Sequence, residues 1–158
     1  MTNHQQLTTN KKGFALFMAV VITGTLLLIA TSLVSLAAKQ SLISNSGRES
    51  QLAFYAADTG MECALYWDAN APSGISAFAT STGTIISCNK DLQNTGNEWV
   101  VGGSSVSVID TITFLPEPYC ATVTVTKNGN ETLIEARGYN TCDPANPRRV
   151  ERAVRADY

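Results

Sequence analysis

The hydrophobic rhythm of the chain changes twice. From Phe14 to Ala38 no charged residue occurs and apolar positions are nearly continuous. At about 1.5 Å per residue such a run forms a helix of roughly 37 Å, longer than a hydrocarbon core of about 30 Å. Beyond Lys39 the apolar positions thin to Leu42, Ala53, Ala57, Met61, Ala64 and Leu65, spaced close to three and four among Ser, Asn, Arg, Glu and Gln. That is the period of an amphipathic helix. One helix is therefore predicted from Phe14 to about Trp67. Gly47 weakens its interior by about 1 kcal/mol relative to alanine and offers a place for a local bend. Phe54, Tyr55, Tyr66 and Trp67 are expected to be core residues beneath a sheet.

Asp68 to Gly74 supply the residues with which helices stop and turns begin. From about Gly83 the period falls to two. Thr84–Ser87, Ser105–Ile109 and Thr111–Phe114 read as strands, as do Ala121, Val123 and Val125 alternating with Thr122, Thr124 and Thr126. Val101-Gly102-Gly103-Ser104-Ser105 reads as a turn. Asn128-Gly129 is a hairpin signal because the pair accepts the positive φ angles of a type I′ turn, and it joins 119–126 to 131–138. Asp143-Pro144-Ala145-Asn146-Pro147 leads to a last strand around Arg149 to Ala156. The expected fold class is α+β, with a long N-terminal helix packed through its second half on an antiparallel sheet of about four to six strands.

Composition narrows the chemistry. The single histidine is His4, so histidine-based acid/base or nucleophilic catalysis is not expected of the exported part. No Gly-x-Ser-x-Gly or Gly-x-x-x-x-Gly-Lys occurs, and neither an enzyme nor a cofactor is expected. The formal charge of -2 does not indicate a general nucleic-acid surface. Arg148, Arg149, Arg152 and Arg155 still gather near the C-terminus. Contact with DNA or an acidic partner stays open there, although such charges on an edge strand also guard against edge-to-edge pairing, the preferred reading.

Cys63, Cys88, Cys120 and Cys142 all follow the apolar run, an even number in a small exported domain, as disulfides in an oxidising compartment require. They lack the close pairs of a zinc site, and Asp143 and Asn146 are too thin an oxygen set for calcium, so no metal is expected. Three pairings are open. Neighbourhood favours Cys63–Cys88, tying the helix end to the following loop, and Cys120–Cys142, stapling the C-terminal sheet.

Lys11 and Lys12 touch the start of the apolar run, which puts the N-terminus in the cytoplasm and everything after Lys39 outside. Three processing readings compete. A secretory signal would be cut after Ser35-Leu36-Ala37-Ala38, but its apolar stretch is far longer than the about 7 to 15 residues such signals use. A plain anchor would stay uncut. The third cut falls between Gly13 and Phe14, at the membrane surface marked by the lysines.

Lys-Lys-Gly-Phe-Ala-Leu-Phe-Met at 11–18 resembles the class III leader of type IV pilins and pseudopilins. Gln51-Leu52-Ala53-Phe54-Tyr55-Ala56-Ala57-Asp58-Thr59-Gly60 resembles the Ala-Phe-x-Ala-Ala-(Glu or Asp)-x-Gly stretch of PilX-like minor pilins. The resemblance covers about the first 68 residues. It implies a leader at 1–13, a membrane-spanning half-helix at 14–38, an exported half-helix at 39–68 and a β-rich head at 69–158, the lollipop shape of pilins. It implies cleavage by prepilin peptidase at Lys11-Lys12-Gly13-Phe14 and N-methylation of Phe14. It also implies a route from the inner membrane, through an assembly platform, into a cell-surface filament of pilin subunits.

Major pilins carry glutamate at the fifth position after the cut, where this chain has Met18. The subunit then cannot offer that carboxylate to a neighbour's amine, although its own amine can still receive one. By resemblance this absence is typical of the K-type minor pseudopilin, thought to sit at a filament tip. Drift under weaker assembly constraints gives the same residue, and K-type subunits are larger than this chain. The expected function is a minor pilin or pseudopilin in filament initiation or at the tip. The rival is a signal-anchored or secreted β-domain that binds a surface ligand.

Overall fold

A computed structural model describes residues 11–71, 74–81 and 83–158, with side chains from Gly13 onward. His4, most of the expected leader and two positions of the expected helix-stop loop, Pro72 and Ser73, lie outside the described residues. The fold is α+β: one helix, α1 (Lys11–Ala69), precedes β1 (Gly83–Ser87), β2 (Glu98–Gly102), β3 (Val106–Thr113), β4 (Cys120–Asn128), β5 (Glu131–Tyr139) and β6 (Glu151–Asp157). The chain divides into two compact units, Met1–Ser44 and Asn45–Tyr158.

In the first unit the described residues form the N-terminal part of α1. No residue from Gly13 to Ser44 is buried, and leucines, isoleucines and valines lie open along its whole length. Its hydroxyls turn inward. Thr23 donates to Ala19 O at 2.9 Å, Thr25 to Ile22 O at 2.9 Å, Thr31 to Leu28 O at 3.0 Å and Ser32 to Leu28 O at 2.8 Å. These four hydroxyls are thus satisfied within the helix, as an apolar surrounding requires. Helical structure continues through Gly47, so the glycine expected to permit a bend leaves the hydrogen-bond ladder unbroken.

The second unit is built on α1 from Asn45 to Ala69 and two antiparallel sheets, β1-β2 and β3-β4-β5-β6. The sequence pattern suggests one sheet of about four to six strands; the six strands instead divide between two. The division follows from β2, which periodicity missed because Glu98-Trp99-Val100-Val101 is short and only partly alternating. Part of the expected 101–105 turn belongs to that strand. The reversal itself is tightened by Gly102 and Gly103, at φ 80° and 74°.

β3 merges two predicted strands through a bulge between Ile109 and Ile112, where Thr111 takes a φ of 39°. The β4–β5 hairpin forms as expected, with Asn128 opposite Glu131. Its two-residue loop is Gly129-Asn130, and only Gly129 has positive φ, at 61°. That is the pattern of a type II′ turn, so the glycine sits at the first central position instead of the second.

Core residues come from both sheets and the helix. Ile86 of β1, Val101 of β2, Ile109 and Ile112 of β3, Ala121, Val123 and Val125 of β4, and Ile134 and Ala136 of β5 are buried together with Phe78 from the connecting loop. The helix contributes small residues: Ala53, Ala56, Ala57 and Ala64 are fully buried, with Met61 beside them. The expected aromatic core is corrected. Phe54, Tyr55 and Tyr66 are 46%, 61% and 57% exposed, because the face that meets the sheet is lined by alanine and glycine. Trp67 is partly buried and donates its indole N–H to Ser87 O at 3.0 Å.

Candidate functional site

Two features of the chain carry functional expectations, and each is set by a different part of α1. The first is the junction at its N-terminus. Lys11, Lys12, Gly13, Phe14 and Met18 all belong to the first turns of the helix. Nothing lies within 4 Å of a Cβ placed on Gly13, Phe14 is 66% exposed and Met18 is 44% exposed. A peptide bond there is sterically open, and no acidic residue stands in the first turn. The run from Gly13 onward is apolar enough to cross a membrane, with a mean hydropathy of 2.4 in its best window.

The second feature is the 51–60 stretch. Its small residues form a seat for the sheet. A Cβ on Gly138 of β5 would fall on the Ala53 carbonyl and the Ala57 amide and come within 3.0 Å of the Ala56 carbonyl carbon. Helix and strand backbones meet there with no side chain between them. Gly60, one turn on, faces Val123 and Ala121 of β4, and a Cβ on it would lie 2.9 Å from a Val123 methyl. The spacing Ala53, Ala56, Ala57, Gly60 thus puts the smallest residues on one face. Phe54 and Tyr55 fall on the opposite, open face.

Three polar anchors hold this arrangement. At the C-terminal end of α1, Asp68 lies 2.6 Å from the Lys127 ammonium and accepts from Tyr158 Oη at 2.6 Å and from Ser76 Oγ. Burial pushes the Asp68 carboxyl up, but these donors and the Lys127 charge hold it below the ordinary carboxylate range. Burial, then the hydrogen bond to Asp68 and the Asp68 charge, raise the Tyr158 phenol.

Near the start of the unit, Asn140 donates to Glu49 Oε2 at 2.7 Å and to Arg148 O at 3.0 Å, and accepts from Val150 N at 2.6 Å. Between β1 and β2, Asn97 accepts from Thr113 N at 3.0 Å and donates to Thr113 O at 2.8 Å, while Asn94 accepts from Leu115 N at 2.9 Å.

Of the two expected disulfides, Cys63–Cys88 is formed, with a Cα separation of 5.9 Å. It joins the helix to the end of β1. The expected Cys120–Cys142 bond is corrected: both are free thiols, Cys120 buried and Cys142 partly buried. Burial, reinforced by Cys142, pushes the Cys120 thiol up to about 12, which keeps it protonated and a poor nucleophile.

Sequence reasoning missed the Asp68–Lys127 pair and the buried asparagines, because Lys127 and Tyr158 lie far from Asp68 in sequence and most partners of Asn94 and Asn97 lie more than ten residues away. Gly138 did carry a signal, since an isolated glycine in a strand marks a bulge or a close backbone approach. No group of His, Cys, Asp or Glu among the described residues could hold a metal ion. No family model matches the chain, and neither a curated protein nor a solved structure does.

Proposed function

We propose that the protein is a minor pilin or pseudopilin, a structural subunit with no catalytic role. In this reading prepilin peptidase cuts after Gly13 and the new amine of Phe14 is methylated. Residues 14–38 hold the subunit in the inner membrane with the C-terminus outside. An assembly platform then moves the apolar helix from lipid into a filament among other pilin subunits, exchanging lipid contacts for helix packing.

The observation that carries the reading is one helix with two kinds of surface. Over 14–38 it is charge-free, apolar and open on every side, which is sustainable only in lipid or among other helices. Over 53–60 it is a small-residue seat covered by sheet. The lysine pair and Gly13 stand where the first surface begins. Met18, in place of a glutamate, suits a subunit that receives a neighbour's contact and offers none, as at initiation or at a tip.

Intact-mass measurement on protein from the native cell tests this directly. The expected mature chain begins at Phe14 and carries one added methyl group. A chain beginning at Met1, or near Lys39, overturns the proposal in favour of an anchored or secreted β-domain.

A further inference from the structure

We infer that the arginine-bearing end of the second unit docks on anionic phospholipid headgroups while the subunit is held in the membrane. This rests on the reading that residues 14–38 lie in a bilayer. The buried Asn140 amide joins Glu49 of α1 to the Arg148 carbonyl at 2.7 and 3.0 Å. Arg152 Nε donates to Ser50 Oγ at 2.8 Å. These bonds fix the 140–152 segment beside residues 48–50, so Arg48 joins the sequence neighbours Arg148, Arg149 and Arg152 at one end of the unit.

All four arginines are exposed. Arg48 and Arg148 have no side-chain hydrogen bond or ion pair among the described residues, while Arg149 stacks 3.7 Å over the Tyr139 ring. The three nearby acids, Glu49, Asp143 and Glu151, offset the four guanidiniums only in part, four positive charges against three negative. Glu49 accepts from a neutral amide, Asp143 accepts from the Ala145 backbone at 2.9 Å, and Glu151 faces Arg137 at 3.5 Å. A cationic end therefore stands out on a chain whose formal charge is -2.

Tethering favours lipid over a diffusing polyanion. Lys39, the first charge after the apolar run, is nine positions from Arg48, a reach of at most about 32 Å even for a fully extended chain. Arginine forks pair bidentately with phosphate oxygens. Each basic residue near an anionic surface adds attraction that decays over a Debye length. The contact would hold the subunit at the bilayer until assembly lifts it away.

The test is hydrogen–deuterium exchange of the full chain in nanodiscs of phosphatidylcholine alone or mixed with phosphatidylglycerol. Exchange over 140–152 is expected to slow about tenfold in the anionic discs at low salt. The protection should vanish at high salt and in the Arg48→Gln/Arg148→Gln variant, whose substituted side chains make no hydrogen bond or ion pair among the described residues. The 127–131 hairpin should be unaffected throughout.

Equal exchange in both lipids, with the chain still in the disc, overturns the inference and leaves the membrane reading standing. Protection that appears only when double-stranded DNA is added to phosphatidylcholine discs also overturns it, assigning the patch to an acidic polymer. A chain that leaves the disc on alkaline washing removes the membrane reading itself, and the inference with it.

Discussion

The two stretches of α1 invert the usual relation between hydrophobicity and burial. Leu26, Leu27, Leu28 and Ile29 are large, apolar and open, whereas Ala53, Ala56, Ala57 and Ala64 are small and fully buried. In the first stretch apolar area has no partner among the described residues, and its burial is left to whatever surrounds the subunit. In the second, side-chain size decides burial, because the sheet backbone at Gly138 approaches the helix backbone directly. Hydrophobic residues such as Phe54 and Tyr55 are excluded from that contact by their bulk. Amphipathicity alone would have assigned them to the core.

The largest expected effect comes from filling the seat. Gly138→Ala puts a methyl group on the backbone of Ala53 and Ala57, which cannot rotate away, and should cost about 3 kcal/mol or more. Gly60→Ala meets the mobile Val123 methyl instead and should cost about 1 kcal/mol. Urea unfolding of both variants checks the ranking; equal costs would refute the close backbone approach.

Next is the anchor at the helix end. Asp68→Asn removes one partner of a mostly buried ion pair and should destabilise by about 3 kcal/mol. The native carboxyl is held below its ordinary value. Its contribution is therefore present above the unfolded pKa of about 3.9 and is lost as pH falls through the lower folded value. Stability measured across this acid range should fall for the native chain and show a shallower slope for Asp68→Asn.

The first stretch is broken by charge, not by size. Leu27→Arg places a cation at mid-run and should raise the cost of membrane insertion by about 2.5 to 3.5 kcal/mol. Membrane fractionation reads this out, while the exchange protection of β4 and β5 should be unchanged. Loss of protection in those strands would mean that the two stretches are not independent.

Two smaller effects sharpen the contrast. Gly47→Ala, with nothing within 4 Å of the new Cβ, should stabilise by about 0.5 to 1 kcal/mol through helix propensity. Tyr66→Gln, on the open face, should alter stability by no more than about 0.5 kcal/mol. A larger loss on thermal unfolding would return Tyr66 to the core.

Much of the architecture was legible because it depends on short-range pattern. The membrane-length run, the switch from period three-to-four to period two, the Asn128–Glu131 hairpin and the Cys63–Cys88 neighbourhood each lie within a few residues or between adjacent elements. What escaped depended on distant partners. β2 acquires its identity by pairing with β1, and Asn94 and Asn97 are buried because they satisfy the end of β3.

The sequence by itself determined that a long charge-free segment precedes a small β-rich domain, because helix length and strand alternation are written in the order of residues. Tertiary structure alone decided which helix face the sheet covers and that its aromatics lie outside. It also brought Arg48 beside the arginines at 148–152. These outcomes turn on how closely two backbones can approach, and that distance is fixed only when both surfaces are present.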